Sequence, residues 1–180
     1  SSLIVDAEFE PDEAPARNCG SCHACQHACP TSAIESPGVI NINKCIDYLT
    51  MKTGAIPLEL RTKMGNRLVS CDRCQEVCPN NQHVKPIEKG ISENNLECGR
   101  SPALLPLLTI SEKEFERYAE YWEFIDPKLE YLQRNAIVAL GNLQDAVAIP
   151  ALKKLLHKGS PLLKEHSEWA IEMISSTMKT

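Results

Sequence analysis

The feature that most constrains this chain is a pair of cysteine-rich runs, each of which ends in Cys-Pro. The first run, CGSCHACQHACP, contains Cys19, Cys22, Cys25 and Cys29. The second run, CDRCQEVCP, contains Cys71, Cys74 and Cys78. The spacing C-x2-C-x2-C-x3-C-P is that of bacterial iron–sulfur proteins, in which closely spaced thiolates bind one cluster. The two runs therefore predict a ferredoxin-like unit with two [4Fe–4S] clusters.

Two other uses of cysteine fit the sequence less well. A disulfide framework is typical of secreted proteins with an even number of cysteines, whereas this chain has nine and shows no signal peptide. A structural zinc ion takes four ligands and does not explain third and fourth cysteines in one run. We also expect a cytoplasmic location without a membrane span, since no stretch approaches the roughly 20 apolar residues that cross a bilayer.

The ligands of each cluster can be assigned from the ferredoxin rule that the last cysteine of a run binds the other cluster. Cluster one is predicted to be held by Cys19, Cys22, Cys25 and Cys78. Cluster two is predicted to be held by Cys29, Cys71 and Cys74. It needs a fourth thiolate, because the second run has only three cysteines. Cys45, in INKCIDYLT, is the favoured fourth ligand, and Cys98, in NNLECGR, is the alternative.

The remaining sequence indicates a mainly α fold with small β elements (α+β), in which a two-[4Fe–4S] bacterial ferredoxin-like domain precedes an α-helical HEAT-like repeat domain. We expect a strand and linker from a missing N-terminal domain at 1–18, the cluster domain at 19–98 and the helical domain at 99–180. VININ (39–43) alternates as a strand does, and KCIDYLTMK suits a helix. TGAIPLELRTKMGN, between the runs, is expected to be a long loop.

The last third of the chain has the apolar spacing of three helices. Before them, Ser111 and Glu114 form a capping box that predicts the start of another helix. The three helices are expected to be separated at Gly141-Asn142 and at Gly159-Ser160-Pro161. RNAIVALGNLQDAVAIPALKKLL resembles one HEAT-like repeat, which cannot bury its own apolar face. It must therefore pack on the cluster domain or on a neighbouring unit.

The charge is uneven along the chain. The net charge is −5, yet residues 19–90 carry eight basic and six acidic side chains. Arg61, Lys63, Arg67 and Arg73 make up a basic stretch in this segment. Such a stretch is either a solvated face or a contact for a phosphate backbone, where Lys and Arg supply most of the affinity. Charge alone leaves both interpretations open.

Taken together, these features resemble the C-terminal half of the epoxyqueuosine reductase family over nearly the whole chain. The matching stretches are CGSCHACQHACPTSAI, CIDYLT, IPLELRTKMGNRLVSCDRCQEVCPNN and RNAIVALGN. The resemblance implies that two clusters deliver electrons to cobalamin, which reduces epoxyqueuosine to queuosine in tRNA. It also implies that the family's N-terminal half, which is absent here, carries most of the cobalamin pocket. No catalytic residue is therefore assigned to this chain.

The resemblance further implies positions for the partners. By family position, the cluster nearer cobalamin is held by Cys29, Cys45, Cys71 and Cys74. The residues expected beside cobalamin are Asp47, Ser70 and Asp72. The segment from Gly54 to Arg67 is expected to face the tRNA. The implied electron donor is an external flavodoxin or ferredoxin, and we expect a monomer.

Two other functions are compatible with the residues. The chain could be a stand-alone ferredoxin-like electron carrier whose helical module docks a protein partner. It could also be a non-redox binding module in which a metal only stabilises the fold. Upstream coding sequence would favour the enzyme over the carrier, and iron with acid-labile sulfide would exclude the zinc-stabilised module.

Overall fold

The computed structural model describes residues 4–13, 19–84, 102–119 and 128–177. The described part is mainly helical with one small sheet, which confirms the predicted fold class. The helices are α1 (Ala24–Ala28), α2 (Ile46–Met51), α3 (Leu58–Arg61), α4 (Arg73–Glu76), α5 (Leu104–Leu107), α6 (Glu112–Ala119), α7 (Leu129–Leu143), α8 (Ile149–Lys158) and α9 (Pro161–Thr177). Within these ranges, no helix is both long and apolar enough to span a bilayer.

The cysteine-bearing half is built from short elements joined by tight turns. Strands β1 (Ile34–Ser36) and β2 (Val39–Ile40) pair antiparallel, and Gly38 turns the chain between them with φ of 79°. The strand predicted over 39–43 ends at Ile40, because the chain turns into a 3₁₀ helix at Ile42–Lys44. The predicted helix after Cys45 is present as α2. This arrangement directs the chain from the hairpin into α2.

The stretch expected as a loop between the cysteine runs is partly helical. It contains α3 and a 3₁₀ helix at Thr62–Met64. Ile56, Leu60 and Met64 recur every four residues and are all buried in the main apolar core. A helical face of this kind buries apolar area that a solvated loop would leave exposed. The expectation of a long loop was therefore wrong.

The helical half confirms most of the predicted boundaries. The backbone N–H of Ser111 donates to the carboxylate of Glu114 at 2.8 Å, and the backbone N–H of Glu114 donates to Ser111 Oγ at 3.3 Å, as a capping box requires. Gly159 and Ser160 separate α8 from α9 as predicted. These boundaries follow from local sequence signals.

Gly141 does not end a helix, contrary to the prediction. Helix α7 continues to Leu143 and ends where Gln144 adopts the left-handed conformation, with φ of 55°. A Cβ atom added at Gly141 would lie 2.7 Å from Cζ3 of Trp169 and 3.0 Å from Cα of Ala170. The glycine is needed for the close approach of α7 and α9 rather than for a turn.

A single apolar core joins the two halves of the chain. It includes Ile46 and Leu49 of α2, Leu132 and Leu140 of α7, and Ile174 of α9. Helices α2 and α7 pack directly against each other, and α7 also packs against α9. The HEAT-like helices thus bury their apolar faces on the cysteine-bearing half, which is one of the two arrangements expected from the sequence.

Buried polar contacts reinforce this junction. Arg61, which is 3% exposed, donates to the carbonyl of Ile56 at 2.9 Å and pairs with Glu165 of α9. The same guanidinium lies 5.8 Å from the ring centroid of Trp169. Arg61 is therefore part of the core junction and does not belong to the solvated basic stretch suggested by the sequence.

Candidate metal centre

The two cysteine runs lie side by side because α1 packs against α4. Cys25 lies within α1, Cys29 directly follows it, and Cys74 lies within α4. All eight cysteines in the described ranges are free thiols, and the ninth, Cys98, lies outside those ranges. Cys19 and Cys22 are exposed, whereas the other six are half-buried. The packing thus brings together the segments that the ferredoxin rule assigns to shared clusters.

The first run folds into a loop and one helical turn. Gly20 has φ of 49°, and the backbone N–H of Cys22 donates to the carbonyl of Cys19 at 2.8 Å. Farther along, the backbone N–H of Ala33 donates to Sγ of Cys29 at 3.2 Å. Burial acts to raise the pKa of the Cys29 thiol, but hydrogen bonds from Thr31 and the backbone of Ala33 outweigh it and lower the pKa. The surroundings of Cys29 therefore favour the thiolate, which is the form that binds metal.

A second group of thiols gathers around Cys74. Cys45 is the N-cap residue of α2, and Cys71 follows Ser70, whose φ is 58°. Burial raises the pKa of the Cys74 thiol, and the charges of Cys71 and Cys45 raise it further. The hydrogen bonds from Ser70 to Asp47 and Thr50 hold the residue before Cys71 against α2, the helix that begins after Cys45. The structure therefore brings the segments of Cys45 and Cys71 together, and their binding to one cluster stays a prediction.

The chemistry of these thiols fits iron–sulfur binding. In the described part of the chain, no group of three Cys, His, Asp or Glu side chains is placed as the ligands of a single metal ion. Free cysteines on two segments that pack together supply the thiols that iron–sulfur clusters take as ligands.

Two of the three residues expected beside cobalamin are in contact. Ser70 Oγ donates to Oδ1 of Asp47 at 2.7 Å, and the backbone N–H of Ser70 donates to Oγ1 of Thr50 at 3.1 Å. Asp47 lies two residues after Cys45, and Ser70 directly precedes Cys71. Both residues are half-buried. Asp72 is exposed at the start of α4, where its carbonyl accepts hydrogen bonds from the backbone of Gln75 and Glu76. The structure thus pairs Asp47 with Ser70 and places Asp72 at a helix end.

A groove of about 780 Å³ opens beside Ser70. It is lined by residues 66–70 and 102–105 together with Leu140, Leu143 and Asp145. Sequence reasoning did not find this groove, because it lies between segments far apart in the chain. The only local signal was the basic character of Arg67, which lies at one side of it. A planar, partly apolar ligand held next to the Asp47–Ser70 pair would have space here.

Comparison with known proteins adds the family to this geometry. Residues 18–81 match the 4Fe-4S double cluster binding domain, and residues 132–158 match the PBS lyase HEAT-like repeat. The epoxyqueuosine reductase of Bacillus subtilis (strain 168) is 42% identical over 183 residues, which cover 97% of this chain and 45% of that protein. The chain belongs to the epoxyqueuosine reductase family. It spans 45% of the length of the Bacillus subtilis enzyme and of the Staphylococcus aureus enzyme.

Solved structures of epoxyqueuosine reductase agree with this assignment. The enzyme crystallised with an epoxyqueuosine-modified tRNA-Tyr stem loop is 41% identical, with a TM-score of 0.76, and the match covers 92% of this chain and 44% of that one. The Streptococcus thermophilus epoxyqueuosine reductase is 32% identical, with a TM-score of 0.77, over 94% of this chain and 45% of its own. The family resemblance predicted from the cysteine runs and the RNAIVALGN stretch is confirmed, and the iron–sulfur domain is confirmed with it.

Proposed function

We propose that this chain is the electron-relay and tRNA-facing half of an epoxyqueuosine reductase. The observation that carries the proposal is the packing of α1 against α4, with Cys45, Cys71 and Cys74 gathered beside them. Two [4Fe–4S] clusters on these segments would be neighbours, and neighbouring clusters pass single electrons over a short distance. Whole-enzyme activity requires the additional length present in the relatives, of which this chain spans 45%.

The proposed ligand sets follow the sequence assignment. Cluster one is held by Cys19, Cys22, Cys25 and Cys78. Cluster two is held by Cys29, Cys45, Cys71 and Cys74. The hydrogen bonds that tie Ser70, which precedes Cys71, to the helix after Cys45 support Cys45 as the fourth ligand. The hydrogen bond from Ala33 to Cys29 favours a thiolate at the residue that links the first run to cluster two.

Cobalamin is the second proposed cofactor, and when bound it would take single electrons from the clusters and supply the reduced cobalt that removes the epoxide oxygen, a change that consumes two electrons and two protons. The Asp47–Ser70 pair and the groove beside Ser70 would offer hydrogen-bonding groups and space next to cluster two. The hydrogen bond from the backbone N–H of Ser70 to Thr50 Oγ1 holds Ser70 against α2. Asp72, exposed at the start of α4, is the third residue proposed to contact cobalamin.

The proposed RNA partner is tRNA, which is bound by the relative crystallised with a stem loop. In this chain, Lys63 is exposed and Arg67 is half-buried beside the groove, so both can reach phosphates. Arg61 is excluded from this role by its burial against Glu165 and Trp169. We further propose a monomer in the cytoplasm, where thiols stay reduced, with a flavodoxin or ferredoxin as electron donor.

Iron and acid-labile sulfide per chain test the proposal directly, together with an electron paramagnetic resonance spectrum after dithionite reduction of anaerobically prepared protein. Two clusters require about eight irons and eight sulfides, and their proximity broadens the spectrum by spin coupling. Zinc in place of iron would favour a metal-stabilised binding module. About four irons per chain would mean a single cluster, and the proposed electron relay between two clusters would then be wrong. If eight irons are found, a cobalamin-binding assay on a chain that includes the additional length of the relatives distinguishes the reductase from a stand-alone carrier.

A further inference from the structure

Two consecutive polar residues of α7, Arg134 and Asn135, are almost completely buried, with 0% and 1% of their surface exposed. The guanidinium of Arg134 donates to the carbonyls of Leu49, Thr50, Lys52 and Gly54 at 2.6–3.1 Å. These carbonyls belong to the end of α2 and the turn that follows it. Arg134 therefore satisfies groups that a helix C-terminus otherwise leaves without partners.

Asn135 connects this helix end to a second segment. Its Nδ2 donates to the carbonyl of Thr50 at 2.8 Å and to the carbonyl of Leu68 at 2.9 Å. Its Oδ1 accepts from Nε of Arg134 at 3.1 Å and from Nη2 at 2.9 Å. One amide thus holds the end of α2 and the 68–70 segment, which leads to Cys71, at a defined separation.

Both segments carry predicted ligands of cluster two. Cys45 caps the start of α2, and its carbonyl accepts the backbone N–H of Leu49 at 2.9 Å. The 68–71 segment is tied to α2 a second time by the bond from the N–H of Ser70 to Thr50 Oγ1. Leu49 and Thr50 follow Cys45 by four and five residues, so about 6–8 Å of helix separates these contacts of Arg134 from Cys45.

Burial of the Arg134 guanidinium costs free energy that an apolar side chain filling the same part of the core would not. In the described part of the chain, no carboxylate lies within ion-pair distance of its guanidinium. Its charge is compensated by the carbonyls, by the C-terminal end of α2 and by the ring of Tyr131, whose centroid lies 5.1 Å away. Apolar residues of similar volume would fill the space at lower cost. The contacts of Arg134 therefore fix the position of the end of α2 and of the turn that follows it.

We propose that Arg134 and Asn135 are positioning residues for cluster two, which set the separation of Cys45 and Cys71 through the end of α2 and the 68–70 segment. The inference rests on the proposed function, since it requires that Cys45 and Cys71 share a cluster. It assigns to the first two residues of RNAIVALGN a role in cofactor assembly in addition to their role in the fold.

The same helix supplies a matched control. Asn142 lies seven residues after Asn135, and its Nδ2 donates to two backbone carbonyls, those of Arg61 at 2.8 Å and Gly65 at 2.7 Å. The contact type is the same, but the carbonyls belong to a segment without cysteines. Asn135→Ala and Asn142→Ala each remove two hydrogen bonds from an amide Nδ2 to backbone carbonyls, and Asn135→Ala also removes the Oδ1 that accepts from Arg134. Only the bonds of Asn135 reach the segments that carry the proposed ligands.

The experiment compares both variants with the parent chain in iron and sulfide content, the electron paramagnetic resonance spectrum after reduction, and melting temperature. We expect Asn135→Ala to fall from about eight irons to about four and to lose the spin-coupled broadening, while Asn142→Ala keeps both. Similar losses of melting temperature in the two variants would show that stability does not explain the difference. Equal iron content in the two variants would overturn the proposal.

A second variant covers the case in which Asn135→Ala does not fold. Asn135→Asp keeps the size of the side chain and an oxygen that can accept from Arg134, but it replaces the Nδ2 that donates to the carbonyls of Thr50 and Leu68. It is expected to lose the same irons and the same spectral broadening, and full retention of both would overturn the proposal. A parent chain without eight irons would instead contradict the proposed function, so the two failures are distinguishable.

Discussion

Cys45 lies between the 3₁₀ helix Ile42–Lys44 and α2. Its position is therefore set by two short helical elements, and it belongs to neither cysteine run. Ser70, which precedes Cys71, is hydrogen-bonded to Asp47 and Thr50 of α2 and so ties the second run to the helix that follows Cys45. A lone cysteine in a sequence is usually a small buried apolar residue. The thiol of Cys45 is instead half-buried, and its role as a ligand stays a prediction.

Replacement of this thiol gives the sharpest test at the residue scale. Cys45→Ala is expected to lower the iron content from about eight to about four per chain, because cluster two loses one of four ligands. Cys98→Ala is the matched control and should leave the iron content unchanged. Iron loss in the control with retention in Cys45→Ala would reverse the ligand assignment. Both values come from iron and sulfide analysis of anaerobically purified protein.

The residue scale also shows what the sequence could reveal. Spacing identified the two cysteine runs, because their geometry is local and repeats every three or four residues. The pairing of Ser70 with Asp47 depends on a positive φ at Ser70, for which a serine gives no local signal. The hydrogen bonds from Arg134 to the carbonyls around the end of α2 join residues 80 to 85 positions apart and leave no pattern in either segment.

At the scale of helices, features set by a few consecutive residues were predicted correctly, whereas features set by packing between helices were not. The capping box at Ser111 and the break at Gly159-Ser160 were predicted, because both depend on a few consecutive residues. Gly141 was misread as a break, since only the position of Trp169 explains it. The helical content of 53–66 was missed because its apolar face is recognisable only when the core that it joins is known.

Gly141→Ala is expected to destabilise the chain by about 1 kcal/mol. Overpacking costs about 1–3 kcal/mol, whereas replacing glycine in a helix gains about 1 kcal/mol. The added methyl group would meet the ring of Trp169 at 2.7 Å. Denaturant unfolding measures the change in free energy.

The control for Gly141→Ala is a double-mutant cycle with Trp169→Leu, which removes the ring carbon in question. In that background the alanine should be neutral or stabilising, because the gain in helix propensity remains. An equal loss in both backgrounds would show that the glycine has another role.

At the scale of the whole molecule, the halves share hydrogen bonds as well as a core. The backbone N–H of Ile56 donates to Nε2 of the buried His166 at 3.2 Å, and Nδ1 of the ring lies 2.8 Å from the carbonyl of Leu162. With Nδ1 protonated, a neutral ring donates to Leu162 and accepts from Ile56. Protonation of Nε2 would leave the N–H of Ile56 without an acceptor. The junction is therefore formed by the neutral imidazole.

This junction predicts a pH dependence of stability. Burial lowers the pKa of His166 from 6.5 to about 4. A lowered pKa in the folded state gives stability that is fully present above pH 6.5 and is lost as the pH falls toward 4. The loss at pH 4 amounts to about 3 kcal/mol, which urea unfolding between pH 7 and pH 4 can detect.

His166→Gln supplies the comparison, because an amide can accept from Ile56 and donate to Leu162 without titrating. The difference between the parent chain and this variant should shrink or reverse in favour of the variant as the pH falls. His157→Gln, at an exposed position of α8, should follow the parent at every pH. Parallel curves for the parent and His166→Gln would contradict the role of the neutral ring. Acid damage to clusters affects all three proteins alike and cancels in the comparison.

The distance in sequence between Arg134 and its carbonyl partners has a consequence for biosynthesis. Leu49 leaves the ribosome 85 residues ahead of Arg134, which at 5–20 residues per second corresponds to about 4–17 s of translation. During that interval all the cysteines of both runs have been synthesised, while the end of α2 still lacks the donors of α7. The contacts between the end of α2 and α7 therefore form only after the cysteines of both runs have been made, and a chain halted before Arg134 would carry every thiol of the two runs on a segment that lacks these donors.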